Sequence, residues 1–321
     1  MVSEVFPNIY LNEIPLPKNP LKALNSYIFV SDKRNLIIDT GFNLDACKDA
    51  FMKGVEALNI DLAKTDLVLT HMHVDHSGLA DDLRKSGCQV FISKLDGDIL
   101  NSFRTSTHTV IEKMNNLLDL DQKGLTANNK DFGKGSTQLL DYCPIDEGDI
   151  FEVGAYILEV INIPGHTPGH IALYERKHKL LFSGDHILNE VTPNITFWGH
   201  ELDSLGKYID SLKRVAELDI DLVFPAHRSM VKDYHKRIKE LIIHHEYRLE
   251  EILEILREGK KTASQTAAKM HWDLIYTSWE DFPGTQKWFA SGEAMSHLEH
   301  LVFKGIAQRI KDNETVYYQL L

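Results

Sequence analysis

The chain is poor in cysteine and in net positive charge, and both absences narrow the class of protein it can be. Its 321 residues include three cysteines, Cys47, Cys88 and Cys143, which are odd in number and widely spaced. This spacing opposes a disulfide framework and a Cys-x-x-Cys zinc site, and it favours a reducing compartment. The formal net charge of −12 opposes broad binding to nucleic acid, whose phosphates require an excess of Lys and Arg.

Long apolar runs are also missing. No apolar stretch approaches the length that crosses a bilayer, and residues 1–6 have neither the basic flank nor the apolar core of a signal peptide. We therefore expect a cytoplasmic protein with no membrane partner. A hydrophobic content of 43% with 26% charged residues is typical of a chain that buries a substantial core.

Histidine is abundant instead, with 16 residues, and one short segment concentrates three of them. This segment, Thr-His-Met-His-Val-Asp-His at 70–76, directly follows an apolar run. Side chains alternate along an extended segment, so His71 and His73 point to the same side. Asp75 and His76 follow where the chain turns into a helix. Zinc and related metals prefer such a mixture of imidazole nitrogen and carboxylate oxygen, so the segment indicates a metal site.

Further candidate ligands follow other apolar runs. Three such runs each end in a small residue and then expose a side chain that can bind a metal ion. They lead into His166, Asp185 and His227. The repetition of this pattern, in order after the first motif, indicates that several strand ends contribute to one site.

Strand-like runs alternate with helix-like segments, which indicates an α/β protein with layered sheets. Strands are expected over 26–30, 35–39, 66–70, 89–93, 151–153, 156–163, 170–174, 180–182 and 222–224, and helices over 44–58, 79–85, 202–218 and 231–257. Residues 96–138 interrupt this rhythm with a helical piece at 109–118 and a Gly/Asn/Lys-rich stretch. We expect an insertion there that serves either as a lid over the site or as a variable surface segment.

The last part of the chain, residues 246–321, has the pattern of a winged-helix-like domain. Helices are expected over 249–256, 262–270 and 291–303, followed by a hairpin of 306–310 and 315–319. We therefore divide the chain into a catalytic domain, 1–245, and a small C-terminal domain, 246–321.

The charges of this C-terminal domain oppose DNA binding. It contains nine Lys or Arg residues against twelve Asp or Glu residues, and the segment 291–303 contains no Lys or Arg. Groove binding requires the opposite sign of charge. The domain is expected instead to pack on the catalytic domain, to form a homodimer or to cap the substrate.

The ordered motifs resemble those of the metallo-β-lactamase superfamily of metal-dependent hydrolases. They are Thr-His-x-His-x-Asp-His at 70–76, Pro-Gly-His-Thr-x-Gly-His at 164–170, Ser-Gly-Asp at 183–185 and Pro-x-His at 225–227. The glyoxalase-II-like branch is the most similar, because Asp185 stands where true lactamases carry a cysteine. The resemblance implies an αββα sandwich, with the site at one edge of the paired sheets.

The resemblance also implies two divalent metal ions, with Zn²⁺ expected and Fe or Mn as alternatives. The first ion would be held by His71, His73 and His166, the second by Asp75, His76 and His227, and Asp185 would bridge them. A hydroxide between the ions would attack the substrate, and Asp75 would act both as a ligand and as a proton shuttle. Asp39 and His170 are expected to orient the ligands.

The sequence leaves the substrate open. We favour hydrolysis of a small thioester, ester or lactone. The alternatives are a phosphodiesterase or RNA endonuclease of the same superfamily, a mononuclear iron dioxygenase acting on a persulfide, and a non-enzymatic DNA-binding regulator, which the ligand set opposes. The side chains expected at the mouth of the site are Arg228, which can pair with a carboxylate or phosphate, and Tyr27, His108, Trp198 and His200.

Overall fold

The structure is a computed structural model that describes residues 2–118, 120, 138–273, 278–313 and 315–321, apart from the side chains of 106–115. Within this part of the chain, fourteen strands form two large sheets and one hairpin, and eight α-helices accompany them. The predicted α/β class is confirmed. Among the helices described here, none is long and apolar enough to cross a membrane.

The first sheet contains seven of the described strands, which lie side by side in chain order. They are β1 (Val2–Phe6), β2 (Ile9–Pro15), β3 (Ala23–Phe29), β4 (Asn35–Ile38), β5 (Thr65–Val68), β6 (Gln89–Ser93) and β7 (Cys143–Ile145). Strands β1 to β4 pair antiparallel, whereas β4 to β7 run parallel. The parallel half therefore places the carboxyl ends of β4, β5 and β6 at one edge, immediately before Asp39, the 70–76 motif and Asp96.

The second sheet contains five of the described strands. In chain order they are β8 (Ile150–Val153), β9 (Tyr156–Asn162), β10 (Ile171–Glu175), β11 (Leu180–Gly184) and β12 (Leu222–Pro225). Strands β11 and β12 run parallel, and the other neighbours pair antiparallel. Because β11 and β12 point the same way, Asp185 and His227 emerge at the same edge of this sheet.

Helices cover the outer face of each sheet, and others pack in the C-terminal part of the chain. The helices are α1 (Asp45–Ala57), α2 (Val74–Ser77), α3 (Ala80–Lys85), α4 (Lys94–Leu117), α5 (Ser204–Ala216), α6 (Tyr234–Arg257), α7 (Ala263–Ala267) and α8 (Gly284–Phe303). Phe29 and Phe182 are buried between the sheets, Phe51 is buried between the first sheet and α1, and Leu212 is buried between the second sheet and α5. Each layer thus buries one apolar face, and the expected αββα sandwich is confirmed.

The predicted insertion is in part a continuation of the regular fold. Helix α4 begins at Lys94, directly after β6, rather than at 109 as predicted. Its end carries Leu117 to the apolar cluster of the C-terminal part, beside the buried Leu118. Residues 119 and 121–137, on which the rest of the predicted lid falls, lie outside the described residues.

The C-terminal part contains α7, α8 and the predicted hairpin, formed by β13 (Ala307–Asp312) and β14 (Thr315–Leu320). Helix α7 begins with a capping box, in which the side chains of Thr262 and Gln265 each accept a hydrogen bond from the other residue's backbone N–H. Helix α8 begins at Gly284, earlier than predicted, and residues 290–301 are all buried. This stretch therefore offers no exposed face to a DNA groove.

The predicted domain boundary at 245 lies inside helix α6. This helix contributes Ile238 and Leu241 to the core against the second sheet, and Ile252 and Leu256 to the core of the C-terminal part. One continuous helix thus belongs to both cores. The division into two domains and the winged-helix description stay predictions.

Candidate metal centre

Four loops that follow strand ends bring seven side chains to one edge of the sandwich. The side chains are His71, His73, Asp75, His76, His166, Asp185 and His227. Their ligand atoms form three groups, and within each group the atoms lie within 4.8 Å of one another. The groups are His71, His73 and His166; His71, His76 and Asp185; and Asp75, His76 and His227. The structure therefore brings together all seven residues that the sequence singled out.

The first half of the cluster contains three imidazoles. Nδ1 of His73 lies 3.0 Å from Nε2 of His71 and 2.9 Å from Nε2 of His166. Two nitrogens bound to one tetrahedral zinc ion at about 2.0–2.1 Å lie about 3.3 Å apart. A small outward adjustment of these rings would therefore accommodate one ion.

Asp185 connects the two halves of the cluster. Its Oδ2 lies 3.6 Å from Nε2 of His166, whereas its Oδ1 lies 3.6 Å from Nε2 of His76 and 3.4 Å from Nε2 of His227. Oδ2 of Asp75 lies 3.5 Å from the same nitrogen of His227. Because its two oxygens face different groups, the Asp185 carboxylate is arranged to contact two ions.

The outer nitrogens of four rings are held by fixed acceptors. Nδ1 of His76 donates to Oδ2 of Asp39 (2.8 Å), and Nδ1 of His166 and of His227 donate to the backbone oxygens of Asn194 and Ala23, both at 2.7 Å. Nδ1 of His71 donates to Oγ1 of Thr70, whose own hydrogen goes to Asp39. Because Nδ1 is the donor in each of these rings, Nε2 is the ring nitrogen that points into the cluster.

Several of these inward atoms lack a partner among the described residues. They are Nε2 of His76, Nε2 of His227 and Oδ1 of Asp185, all buried. Buried polar atoms that have no partner are costly, and a divalent cation that displaces any proton on the ring nitrogens would satisfy all three. The donor set thus fits divalent metal ions, in its geometry and in its combination of imidazole nitrogens and carboxylate oxygens.

Burial and neighbouring charges shift the histidine pKa values in opposite directions in the two halves of the cluster. Burial lowers the pKa of His71 well below its ordinary value and that of His73 to about 3, so these rings are neutral and able to bind metal. Burial also acts to lower the pKa of His76, but Asp39 and Asp185 outweigh it and raise that pKa well above its ordinary value. A cation bound in this second half would therefore displace a proton from His76.

Asp39 and His170 lie around the cluster, as the sequence analysis expected. Asp39 accepts hydrogen bonds from both N and Oγ1 of Thr70, at 2.8 Å each, and so fixes the chain just before His71. Nε2 of His170 accepts a hydrogen bond of 3.1 Å from the backbone N of Asp185, and its ring stacks on that of His71. Both residues therefore orient ligands.

Asp96 is a functional residue that the sequence analysis missed. Its buried carboxylate accepts hydrogen bonds from Met72 N (3.0 Å), Thr167 Oγ1 (2.6 Å) and Gly169 N (2.6 Å), and so joins the loop of His71 to the loop of His166. Burial raises its pKa to about 6 despite these donors. The available signal was its place directly after strand β6, the same pattern that identified the ligands.

The residues expected at the mouth of the site occupy different environments. The ring of Trp198 lies 6.2 Å from that of His73, and its Nε1 donates to the backbone oxygen of His166 (3.0 Å), so it borders the cluster. Nδ1 of His200 instead contacts Glu299 of α8, at 2.8 Å. Arg228 donates to the backbone oxygen of Pro20 (2.7 Å).

Tyr27 departs from its expected place. It is buried in the core between the sheets and donates to the backbone oxygen of Pro225 at 2.8 Å. Its hydroxyl group therefore supports the loop that carries His227. The burial of Tyr27 corrects the expectation that this residue contacts the substrate. The side chain of His108 lies outside the described residues.

Comparison with known proteins agrees with this fold. The family model of the metallo-beta-lactamase superfamily matches residues 21–227, and the chain belongs to this superfamily. The lactamase-like protein aptB of Emericella nidulans is 24% identical over 241 residues, which are 75% of this chain and 62% of aptB. The beta-lactamase-like protein 2 homolog of Caenorhabditis elegans is 24% identical over 249 residues, which are 76% of this chain and 69% of that protein.

A solved structure resembles the whole chain. The metallo-beta-lactamase family protein from Thermus thermophilus is 26% identical, with a TM-score of 0.84, and the match covers 99% of this chain and all of that protein. The described residues after 245 are therefore part of the shared fold.

Proposed function

We propose that this protein is a metal-dependent hydrolase that cleaves a small thioester, ester or lactone with two zinc ions. The observation that carries the proposal is the set of seven converging side chains, in which buried acceptor atoms point inward and Asp185 faces both halves. Two zinc ions bound there would polarise a carbonyl group and lower the pKa of a water molecule.

The chain's own residues would orient and protonate the substrate. Asp75 is the carboxylate of the first motif, and its Oδ2 is the oxygen that faces His227. A carboxylate in this position can take a proton on Oδ2 and deliver it to a leaving group. His71, His166 and His227 keep their rings fixed through the outer hydrogen bonds, so these three ligands do not have to reorient during the reaction.

The surroundings of the cluster support a carbonyl substrate over a phosphodiester. Three of the four ligand loops, 69–79, 163–171 and 185–203, contain no Lys or Arg, whereas a polyanionic substrate requires cationic side chains near its phosphates. The fourth loop contains Arg228, whose guanidinium donates to the backbone oxygen of Pro20. Apolar surface borders the ligands instead. Val74 lies between two of them in the chain and is 47% exposed, and Trp198 packs beside His73.

The test is a substrate panel on the full chain loaded with zinc, using a short-chain acyl thioester, an aryl ester, a lactone, bis(p-nitrophenyl) phosphate and a short RNA. We expect the highest kcat/KM with one of the carbonyl compounds. Faster turnover of the phosphodiester or the RNA would contradict the substrate class.

Metal analysis of the same preparation tests the cofactor. We expect about two zinc ions per chain, which is what three-ligand groups sharing one bridging carboxylate would hold. About one iron per chain, with oxidation of a persulfide, would instead favour the dioxygenase alternative. The cytoplasmic location stays part of this proposal.

A further inference from the structure

The segment that follows β11 holds His166 from two directions. We call residues 194–203 the ligand-support loop. The backbone oxygen of Asn194 accepts the hydrogen bond from Nδ1 of His166 (2.7 Å), and Nε1 of Trp198 donates to the backbone oxygen of His166 (3.0 Å). The position of this loop therefore sets both the ring and the backbone of one predicted ligand.

The C-terminal helix α8 holds this loop in turn. Nδ2 of Asn194 donates to Oε2 of Glu293 at 2.8 Å. Gly292 lies so close to the loop that a Cβ atom there would overlap Oγ1 of Thr196. Because α8 approaches this closely, the loop is packed directly on the helix backbone.

Two turns further along α8 the contacts repeat. Oε1 of Glu299 lies 2.8 Å from Nδ1 of His200, and Nδ1 of His300 lies 2.9 Å from Oδ1 of Asp203. Positions 292–293 and 299–300 are seven residues apart and so share one face of the helix. The ligand-support loop is thus attached to α8 at both of its ends.

We propose that Glu293 is a positioning residue for the metal centre, which acts on His166 through Asn194. The C-terminal part of the chain then belongs to the binding site for the first metal ion. The chain of contacts runs from Oε2 of Glu293 to the amide of Asn194, and from the backbone oxygen of Asn194 to Nδ1 of His166. The proposal rests on the metal centre of the proposed function and extends it to the C-terminal helix.

The surroundings of Glu293 suit this role. Its carboxyl group is buried, and the nearest cationic atom, Nε of Arg248, lies 3.8 Å from Oε1. Burial raises the pKa of Glu293 above its ordinary value. A neutral side chain of the same shape should therefore replace it, since what Asn194 requires is an acceptor oxygen at the position of Oε2.

The experiment measures the affinity of the full chain for each zinc ion by competition with a chromophoric chelator. We expect Glu293→Ala and Asn194→Ala each to lower the affinity for one of the two zinc ions by about 10–100-fold, as loss of a hydrogen-bond partner behind a metal ligand does. The double variant should lose no more than either single variant, because both changes remove the same contact. Glu293→Gln should restore the affinity.

Met295→Ala is the matched control. Met295 is buried on the same helix but packs in the apolar core of the C-terminal part. We expect it to lower the thermal unfolding temperature and to leave both zinc affinities unchanged. The absorption spectrum of the Co²⁺-substituted protein should change in Glu293→Ala and not in Met295→Ala.

Two results would overturn the inference: unchanged zinc affinity in Glu293→Ala, or an equal loss in Met295→Ala. If Glu293→Ala fails to fold, Asn194→Ala decides in its place. Failure of the wild-type protein to bind zinc at all would instead refute the proposed function, so the two failures are distinguishable.

Discussion

Nδ1 of His76 lies 2.8 Å from Oδ2 of Asp39, and the same carboxylate holds the backbone and the hydroxyl of Thr70. One buried side chain thus fixes the ring of His76 and the chain segment that carries another ligand, His71. Carboxylates that orient metal-binding histidines in this way also keep the proton on the outer nitrogen.

We expect Asp39→Asn to lower zinc affinity by about 10–100-fold, because the amide nitrogen would face a donor where the carboxylate now accepts. Chelator competition measures this loss. Asp66→Asn is a suitable control. Asp66 lies on β5 of the same sheet, but its carboxylate pairs with Arg34 at 2.6 Å and contacts no predicted ligand. Equal losses in both variants would point to a general effect of removing charge.

Removal of the metal should destabilise the fold as well as stop turnover. Ions that bind only the folded chain add stability by mass action, about 4 kcal/mol for each site at a free concentration 1,000 times its Kd. We therefore expect a chelator to lower the thermal unfolding temperature, and zinc to restore it. His73→Ala and Asp185→Ala should abolish turnover, contain less metal and respond less to zinc. Retained activity in either variant would refute the ligand assignment.

Acid should destabilise the interior between α6 and α8. Nδ1 of His245 lies 3.0 Å from Nε2 of His297, and Nδ1 of His297 donates to the backbone oxygen of Glu293, so both rings are neutral. Burial lowers the pKa of His297 to about 3 and that of His245 well below its ordinary value. Below about pH 6.5 these two histidines bind more protons in the unfolded chain than in the folded chain. Their contribution to the free energy of unfolding is therefore complete above that pH and is lost as the pH falls.

Each of the two rings contributes up to about 1.4 kcal/mol per pH unit to this loss. The variant His245→Phe/His297→Leu should therefore lose stability less steeply than the wild type in urea unfolding between pH 7.5 and 5. The histidines of the metal centre titrate in both proteins, so the difference between the two slopes isolates this pair. Identical slopes would mean that the two rings are not buried as neutral groups.

Gly184 should tolerate no side chain. Its φ is +52°, and a Cβ atom there would lie 2.7 Å from Cε1 of His170 and 2.8 Å from Oγ1 of Thr70. Gly148→Ala separates backbone strain from steric overlap, because Gly148 has a φ of +86° and no described atom lies within 4 Å of an added Cβ. We expect Gly148→Ala to cost about 1–2 kcal/mol from backbone strain alone. Gly184→Ala should cost more and should also reduce the zinc content, which elemental analysis would measure.

The ligands were accessible to sequence analysis because each follows an apolar strand within a few residues. Strand direction then places them at one edge, and the residue types carry the chemistry. Asn194 and Glu293 gave no such signal. Asn194 acts through a backbone oxygen, which every residue has, and Glu293 lies almost 130 residues from His166 in the chain. Only the packing of α8 on the ligand-support loop brings these groups together.

The length of α4 was underestimated for a related reason. Its first turns follow β6 without a connecting loop, so no turn signal separates the strand from the helix. The full length of α4 follows from its contacts with both parts of the chain. Local hydrophobic periodicity contains no information about such contacts.

The position of Trp198 allows the intrinsic fluorescence of the protein to report metal binding. The chain has four tryptophans, and Trp272, Trp279 and Trp288 pack on the C-terminal apolar cluster, whereas Trp198 lies beside His73. A paramagnetic ion such as Co²⁺ in the first half of the cluster should quench the fluorescence of Trp198 in preference to the other three. The binding of Co²⁺ to this half of the cluster can then be followed in real time without an added dye.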